Sequence, residues 1–170
     1  MTNMDSKITI RNATTGDIDS IIELAGKIWP ATYQPILSSD QIHYMMNLFY
    51  SADSLRDQML VQKHSFLILE SAGLPSGFAS YSKIGGHAEY KLHKIYVLPG
   101  LQGQGLGKIL LNHIIDLLKK QGAFKLVLNV NRYNKARQFY ERMGFTVIRE
   151  EDFDIGNQYF MNDFVMELRI

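Results

Sequence analysis

The feature that most constrains this chain is a glycine-rich loop that joins a strand-like segment directly to a long helix. The loop, Gln102–Lys108, has glycine at alternate positions and follows Glu89–Leu98, which is predicted to be a strand. Apolar residues then recur with helical spacing up to a predicted cap at Gly122. The first turn of a helix has free N–H groups and attracts anions, and glycine lets the backbone approach a phosphate. The loop therefore predicts a phosphate site, unless its glycines serve only a bend in the chain.

Two common phosphate-binding motifs do not fit this loop. A Gly-x-Gly-x-x-Gly motif that starts at Gly103 needs glycine at position 108, which is Lys108. A Walker A motif that ends at Gly107-Lys108 needs glycine at 102 and Ser or Thr at 109, which are Gln102 and Ile109. Dinucleotide-fold and P-loop proteins are therefore excluded by the spacing.

The remaining segments predict one α+β domain over residues 1–170, with a mixed, mostly antiparallel sheet of about seven strands and four to five helices. The predicted strands are Lys7–Asn12, Ser65–Glu70, Gly77–Lys83, Glu89–Leu98, Phe124–Val130, Phe145–Arg149 and Tyr159–Arg169. The predicted helices follow Thr15-Gly16-Asp17 (ending at Pro30), Ser38-Ser39-Asp40, Ser51–Ser54 and Gly105, with a short one over Asn134–Met143. Gly73-Leu74-Pro75-Ser76 is predicted to be a hairpin turn.

Composition excludes several functional classes. The net charge of +1 provides no basic field for nucleic acid, and the five histidines show no metal-binding spacing. Neither a nucleic-acid partner nor a bound metal is therefore expected. The absence of cysteine excludes disulfides and thiol nucleophiles. The polar first residues and the lack of a long apolar run predict no signal peptide and no membrane span, which fits a cytoplasmic protein.

Two phrases in the chain resemble one known family. The loop spells Gln-x-x-Gly-x-Gly after Ile95-Tyr96-Val97-Leu98-Pro99. A second phrase follows further on, with Ala136 one place earlier than in the family: Asn134, Ala136, Phe139, Tyr140, Gly144 and Phe145. Both phrases, in this order, resemble the GNAT acetyltransferases, and the inferred element order covers nearly the whole chain. The resemblance implies the GNAT fold, acetyl-CoA as cofactor and acetyl transfer to an amine.

The same resemblance implies which residues bind the cofactor. Backbone amides of the loop would hold the pyrophosphate: Gln102, Gly103, Gln104, Gly105, Leu106, Gly107 and Lys108. The Lys108 side chain either adds charge or is simply solvated. The pantetheine arm would lie beside Ile95, Tyr96 and Val97 as an added strand. Asn134 would cap its helix, donate to a pantetheine carbonyl, or do both.

The chemistry needs an amine without its proton, an oxyanion donor and an acid for the leaving thiolate. By resemblance, the Val97 N–H would be the oxyanion donor and Tyr140 the acid, although Tyr140 also reads as a core tyrosine. Counting every second residue places Glu89, Lys91, His93, Ile95 and Val97 on one face. Glu89 is therefore one candidate base, His93 another, and water without a single base the third. Transfer would be direct.

The acceptor is less defined than the cofactor. Aromatic residues after the first helix either line an acceptor site or pack two short helices: Trp29, Tyr33, Tyr44, Phe49 and Tyr50. Trp29, Tyr33 and Glu89 are the predicted acceptor-binding residues. Trp29–Tyr33 and Gly156–Tyr159 resemble a bacterial subgroup that includes polyamine acetyltransferases. A small-molecule amine is expected, with a peptide N-terminus, an amino sugar or a xenobiotic amine as alternatives.

Three further alternatives remain open at this stage. The donor could be another acyl-CoA, because the motifs read the shared coenzyme. The chain could also be a non-catalytic acyl-CoA sensor of the same fold. Dimers are frequent in the family, so the resemblance allows a homodimer, but no residue selects it.

Overall fold

The computed structural model describes residues 7–170, and these contain seven strands and five α-helices. In chain order they are β1 (Ile8–Asn12), α1 (Ile18–Tyr33), α2 (Ser39–Tyr50), α3 (Ala52–Leu60), β2 (Ser65–Ser71), β3 (Leu74–Ile84), β4 (Glu89–Val97), α4 (Leu106–Lys120), β5 (Lys125–Asn131), α5 (Ala136–Arg142), β6 (Thr146–Gly156) and β7 (Tyr159–Arg169). The polar first six residues, on which the expectation of no signal peptide rests, lie outside this range. No helix within it is long and apolar enough to cross a membrane.

The seven strands form one sheet in the order β1-β2-β3-β4-β5-β7-β6. Every neighbouring pair is antiparallel except β4 and β5, which are parallel. Their ladder is short and ends at the Leu92–Leu128 pair. Beyond that pair the two strands separate and leave a wedge in the middle of the sheet. The predicted α+β class, with a mixed and mostly antiparallel sheet of seven strands, is confirmed.

Helices cover both faces of the sheet. On one face, α4 buries a stripe of apolar residues that recurs every three to four positions: Leu106, Leu110, Leu111, Ile114 and Leu118. On the other face, α1, α2 and α3 pack over the residues of β2 and β3 that point that way, including Phe66 and Phe78. The wedge between β4 and β5 therefore lies between two helical layers.

Strand β4 contains a bulge at His93. Ser80 pairs with Lys94 and Tyr81 pairs with Leu92, which leaves His93 as the extra residue. Ile95 and Val97 consequently pack on the α4 face, whereas Tyr96 packs on the α1 face. The prediction that residues 89, 91, 93, 95 and 97 share one face is wrong, because the bulge reverses the alternation.

Helix α1 continues through Pro30 to Tyr33, so the prediction that Pro30 ends it is wrong. Proline removes only its own hydrogen bond to the preceding turn, and its carbonyl still accepts from Gln34 N at 3.0 Å. Trp29 and Tyr33 are both buried, and their packing holds the last turn in place.

Strands β3 and β6 are longer than predicted, because β3 begins directly after a two-residue turn and β6 ends directly before one. Ala72 and Gly73 join β2 to β3, and Asn157 and Gln158 join β6 to β7, all with positive φ. Two-residue turns of this hand match the twist of the flanking strands. The predicted four-residue turn from Gly73 is therefore wrong, and its last three residues belong to β3.

Candidate active site

A cleft of about 910 Å³ opens on the α4 face, where β4 and β5 separate. Nearly all residues predicted to bind the cofactor lie on its wall: Ile95, Tyr96, Val97, Gln102, Gly103, Gly105, Leu106, Gly107, Lys108, Asn134 and Tyr140. Gln104 is not on the wall. The structure thus brings together residues from β4, the glycine loop and α5.

The geometry of the loop fits an anionic group. Gly103 and Gly105 both have φ of +79°, a conformation that residues with a Cβ rarely adopt. Gly105 is the N-cap of α4 and has no side chain to cap the first turn. The N–H groups of Leu106, Gly107 and Lys108 therefore lack partners within the helix. Together with the helix dipole they suit a diphosphate.

The end of β4 presents an open backbone edge to the wedge. Leu98 N donates to Ser76 O on β3 at 2.9 Å. Hydrogen bonding alternates along an antiparallel pair, so the N–H and C=O of Val97 face away from β3. The N–H faces the space from which β5 has diverged, and the C=O accepts from the Gln102 side chain. An N–H in this position can donate to a bound carbonyl oxygen.

Tyr140 is both a buried core residue and a residue of the cleft wall. Its ring is buried and packs edge-on against Phe139 and Phe145, with centroids 5.3 and 5.8 Å away. Tyr140 also lines the cleft. Burial raises the pKa of the phenol well above its usual range, so the hydroxyl stays protonated and can donate.

Asn134 lies two residues before α5, and its Oδ1 accepts from the N–H of Ala136, the first residue of that helix, at 2.9 Å. The residue also lies on the wall of the cleft. This hydrogen bond uses only the amide oxygen, so the amide NH₂ group keeps its donors for a ligand.

Glu89 is not brought to this site. It is the first residue of β4, eight positions before Val97, which corresponds to about 26 Å along a strand. Its carboxylate pairs with Lys125 Nζ at 3.1 Å. It lines neither of the two cavities. The strand position therefore separates Glu89 from both the thioester site predicted for it and the acceptor residues Trp29 and Tyr33.

A second cavity, of about 590 Å³, lies on the α1–α3 face, and we call it the aromatic cavity. Trp29, Tyr33, Tyr50 and Tyr96 form much of its wall. Their polar atoms bond to one another: Trp29 Nε1 donates to Tyr50 Oη at 3.1 Å, and the Tyr33 and Tyr96 hydroxyls are 3.0 Å apart. The predicted acceptor residues Trp29 and Tyr33 thus serve both packing and a cavity wall.

The cleft and the aromatic cavity meet at the wedge. Six residues line both: Tyr33, Leu92, His93, Lys94, Tyr96 and Asn129. A ligand in the cleft and a second molecule in the aromatic cavity would therefore approach each other between β4 and β5.

Asp163, on β7, is a site residue that sequence reasoning missed. Its side chain lines the aromatic cavity and is 4% exposed. It pairs across the sheet with Asn131, and Asn129 Nδ2 lies 3.5 Å from its carboxylate. Burial raises the pKa of the Asp163 carboxyl to about 6. The sequence shows an acidic residue within an apolar strand. The residues that surround it in the fold are set by the register of the sheet, which the sequence does not reveal.

His93 stacks on His64, with ring centroids 3.9 Å apart and nearly parallel planes. Its Nε2 lies 2.7 Å from the Ser82 hydroxyl. Burial lowers the pKa of His93 to about 3 and that of His64 to about 4. Both rings are therefore neutral at pH 7, and His93 is a weak base.

Lys94 also points into the α1–α3 layer. Its Nζ donates to Gln58 Oε1 at 2.6 Å and lies over the rings of Tyr50 and Phe66. Burial lowers the pKa of Lys94 to about 8. At neutral pH its ammonium is mostly charged.

Comparisons with known proteins agree with this arrangement. A spermidine N(1)-acetyltransferase of Thermoplasma acidophilum is 30% identical over 165 residues, covering 94% of this chain and 96% of its own. A [ribosomal protein bS18]-alanine N-acetyltransferase of Haemophilus influenzae is 40% identical, but over 72 residues, 42% of this chain and 46% of its own. The crystal structure of the PaiA N-acetyltransferase of T. acidophilum in complex with coenzyme A superposes with a TM-score of 0.82 at 28% identity, covering 96% and 99% of the two chains.

The sequence profile of the acetyltransferase (GNAT) family matches residues 18–145. This range includes α1, the glycine loop, and the strands β4 and β5 that line both cavities. The predicted cofactor is confirmed by this match and by the relative solved with coenzyme A. The chain belongs to the acetyltransferase (GNAT) family and is an N-acyltransferase that uses acetyl-CoA.

Proposed function

We propose that this chain, as one N-acetyltransferase domain over residues 1–170, moves an acetyl group directly from acetyl-CoA to a primary amine of a small molecule. The observation that carries the proposal is the wedge between β4 and β5, which joins the glycine-loop cleft to the aromatic cavity. Bound acetyl-CoA supplies the acetyl thioester on one side, and the amine enters from the other. Direct transfer needs the two to meet without an intervening carrier.

The chain's backbone holds the cofactor. Backbone amides of the Gln102–Lys108 loop bind the diphosphate at the start of α4, where the helix dipole favours negative charge. Ile95, Tyr96 and Val97 offer an open strand edge to the pantetheine arm, and Asn134 donates from its free amide group.

Two groups act on the reacting atoms. The Val97 N–H donates to the carbonyl oxygen as that oxygen gains negative charge. As the new C–N bond forms and the C–S bond breaks, the Tyr140 hydroxyl, kept protonated by burial, donates its proton to the departing sulfur and is reprotonated by the proton that the nitrogen loses. Both groups lie on the wall of the cleft.

Asp163 is the proposed base, in place of the candidates Glu89 and His93 that the sequence offered beside water. An alkyl ammonium has a pKa of about 10.4 and cannot attack until it loses a proton. Asp163 is ionised at neutral pH, faces the aromatic cavity and can receive that proton, directly or through water. His93 is the weaker alternative because its pKa is about 3.

A polyamine is the second candidate acceptor. The spermidine acetyltransferase relative favours it, as does the presence of Asp154 and Asp163 on the wall of the aromatic cavity. Against it stands Lys94, which places a positive charge in the same cavity. A small primary amine of unspecified charge is therefore the function the geometry supports best.

The test is to mix the protein with acetyl-CoA and a panel of primary amines and to follow the release of free thiol. We expect release that depends on the amine and saturates with it, above the rate without amine. Tight binding of coenzyme A with no release on any amine would overturn the proposal and support a sensor.

A further inference from the structure

We propose that the acceptor amine also carries a negatively charged group, a carboxylate or a phosphate, which binds Lys94 in the aromatic cavity. The inference rests on the proposed function and narrows its substrate class.

Among residues 7–170, Lys94 is a cation without an anionic partner. Its single side-chain hydrogen bond within residues 7–170 goes to the neutral Gln58, at 2.6 Å. None of the ion pairs within 4 Å in this part of the chain includes Lys94. An ammonium has three N–H donors, so two remain for a ligand. A partly buried charge gains most from a partner that neutralises it.

Gln58 holds Lys94 in this position. Its side chain is buried, and its Nε2 donates to Phe49 O at 2.9 Å and to Ser54 Oγ at 3.0 Å. The amide nitrogen is therefore committed to the helices, and the amide oxygen is directed at Lys94. Lys94 is fixed at the cavity wall before any ligand arrives.

The aromatic rings beside Lys94 already have a cation over them. Lys94 Nζ lies 5.5 Å from the Tyr50 ring centroid and 5.6 Å from that of Phe66. A cation of the substrate would compete with it for the same rings and would be repelled. Lys91 adds a second positive group to the wall.

Charges of opposite sign lie on the same cavity wall. The Asp163 carboxylate can face the reacting amine, as proposed above, and Lys94 can face an anionic group. With Lys91 and Asp154 also on this wall, two lysines and two carboxylates line the cavity, which matches a molecule that carries both an amine and an anionic group.

Three amines of equal length test the inference: 5-aminopentanoate, pentylamine and 1,5-diaminopentane. We expect kcat/KM for thiol release to be highest for 5-aminopentanoate, about tenfold above pentylamine, with the diamine lowest. An aminoalkyl phosphonate of the same length distinguishes a phosphate-type from a carboxylate-type acceptor. In Lys94→Met the ratio of 5-aminopentanoate to pentylamine should fall about tenfold. Lys83→Met, an exposed lysine of β3 outside both cavities, should keep the wild-type ratio.

The outcomes separate the two proposals. Thiol release that is equal for the three amines, or greatest with the diamine, overturns this inference and leaves acetyl transfer standing. No release with any amine, in protein that binds coenzyme A, overturns both. The wild-type series decides the matter alone if Lys94→Met does not fold.

Discussion

The Gln102 side chain donates a hydrogen bond of 3.1 Å to the Val97 carbonyl oxygen. It ties the glycine loop, which would hold the diphosphate, to the end of β4, whose N–H would face the thioester. The two ends of the cofactor site are thereby held in register, and a disturbance of one should reach the other.

Gln102→Leu should therefore impair both binding and chemistry. Loss of one hydrogen bond, worth about 1 kcal/mol, should raise the KM for acetyl-CoA and lower kcat by a combined factor of about five to ten. Gln104→Leu is the matched control, because Gln104 is exposed and lies off the cleft wall. Steady-state kinetics of thiol release measures both variants, and an equal effect of the two would contradict the link between loop and strand.

Gly105→Ala should weaken the cofactor site more than Gly107→Ala. Alanine at 105 must adopt φ of +79°, which costs about 1 kcal/mol and distorts the start of α4. Gly107 has an ordinary φ, and a Cβ added there would meet only the Phe139 ring, at 3.7 Å. Urea unfolding and calorimetry with coenzyme A compare the two, and a larger loss of affinity in Gly107→Ala would be evidence against the assigned geometry.

Tyr140→Phe should lower kcat by about 10- to 100-fold while the affinity for coenzyme A changes little. Phenylalanine keeps the edge-on packing with Phe139 and Phe145 but removes the proton donor. Calorimetry and single-turnover thiol release separate the two effects. An unchanged rate would leave Tyr140 as a packing residue only.

Asp163→Asn should abolish most of the activity and stabilise the fold. The carboxyl pKa is raised from 3.8 to about 6 in the folded protein, so between these values the folded state binds more protons than the unfolded state. Its contribution to stability therefore falls as pH rises through this range. Above pH 6 the buried carboxylate is charged and destabilises the folded state most. Replacement by asparagine should therefore raise the free energy of unfolding by roughly 1 to 3 kcal/mol.

Urea unfolding at pH 7.5 and pH 4 measures this effect, and the gain should shrink at the lower pH. The pH profile of kcat/KM in the wild type should show a group near 6 that the variant lacks. A variant that is less stable at pH 7.5, or that retains full activity, would contradict the burial and base roles of Asp163.

Local signals in the sequence predicted most of the residues that line the cleft. The alternate glycines of Gln102–Lys108 and the phrase from Asn134 to Phe145 each lie within one loop or one helix, and their conformations depend on neighbours in the chain. Their resemblance to one family could therefore be recognised without knowledge of the sheet register.

The acceptor side depends on contacts that spacing cannot reveal. Glu89 was placed near Val97 by counting alternate residues, and the bulge at His93 breaks that count. Asp163 reaches the aromatic cavity through the β5–β7 register, in which it pairs with Asn131. Lys94 meets Gln58 across 36 residues of chain. These relationships arise only when distant segments pack together.

The most direct test of the account follows the backbone amides of residues 102–108 by NMR during titration with coenzyme A and, separately, with pantetheine. Coenzyme A carries the diphosphate and pantetheine does not. We predict that the amide protons of Gly103, Gly105 and Gly107 shift with coenzyme A and stay in place with pantetheine. Unmoved resonances at saturating coenzyme A would contradict the claim that these amides bind the diphosphate.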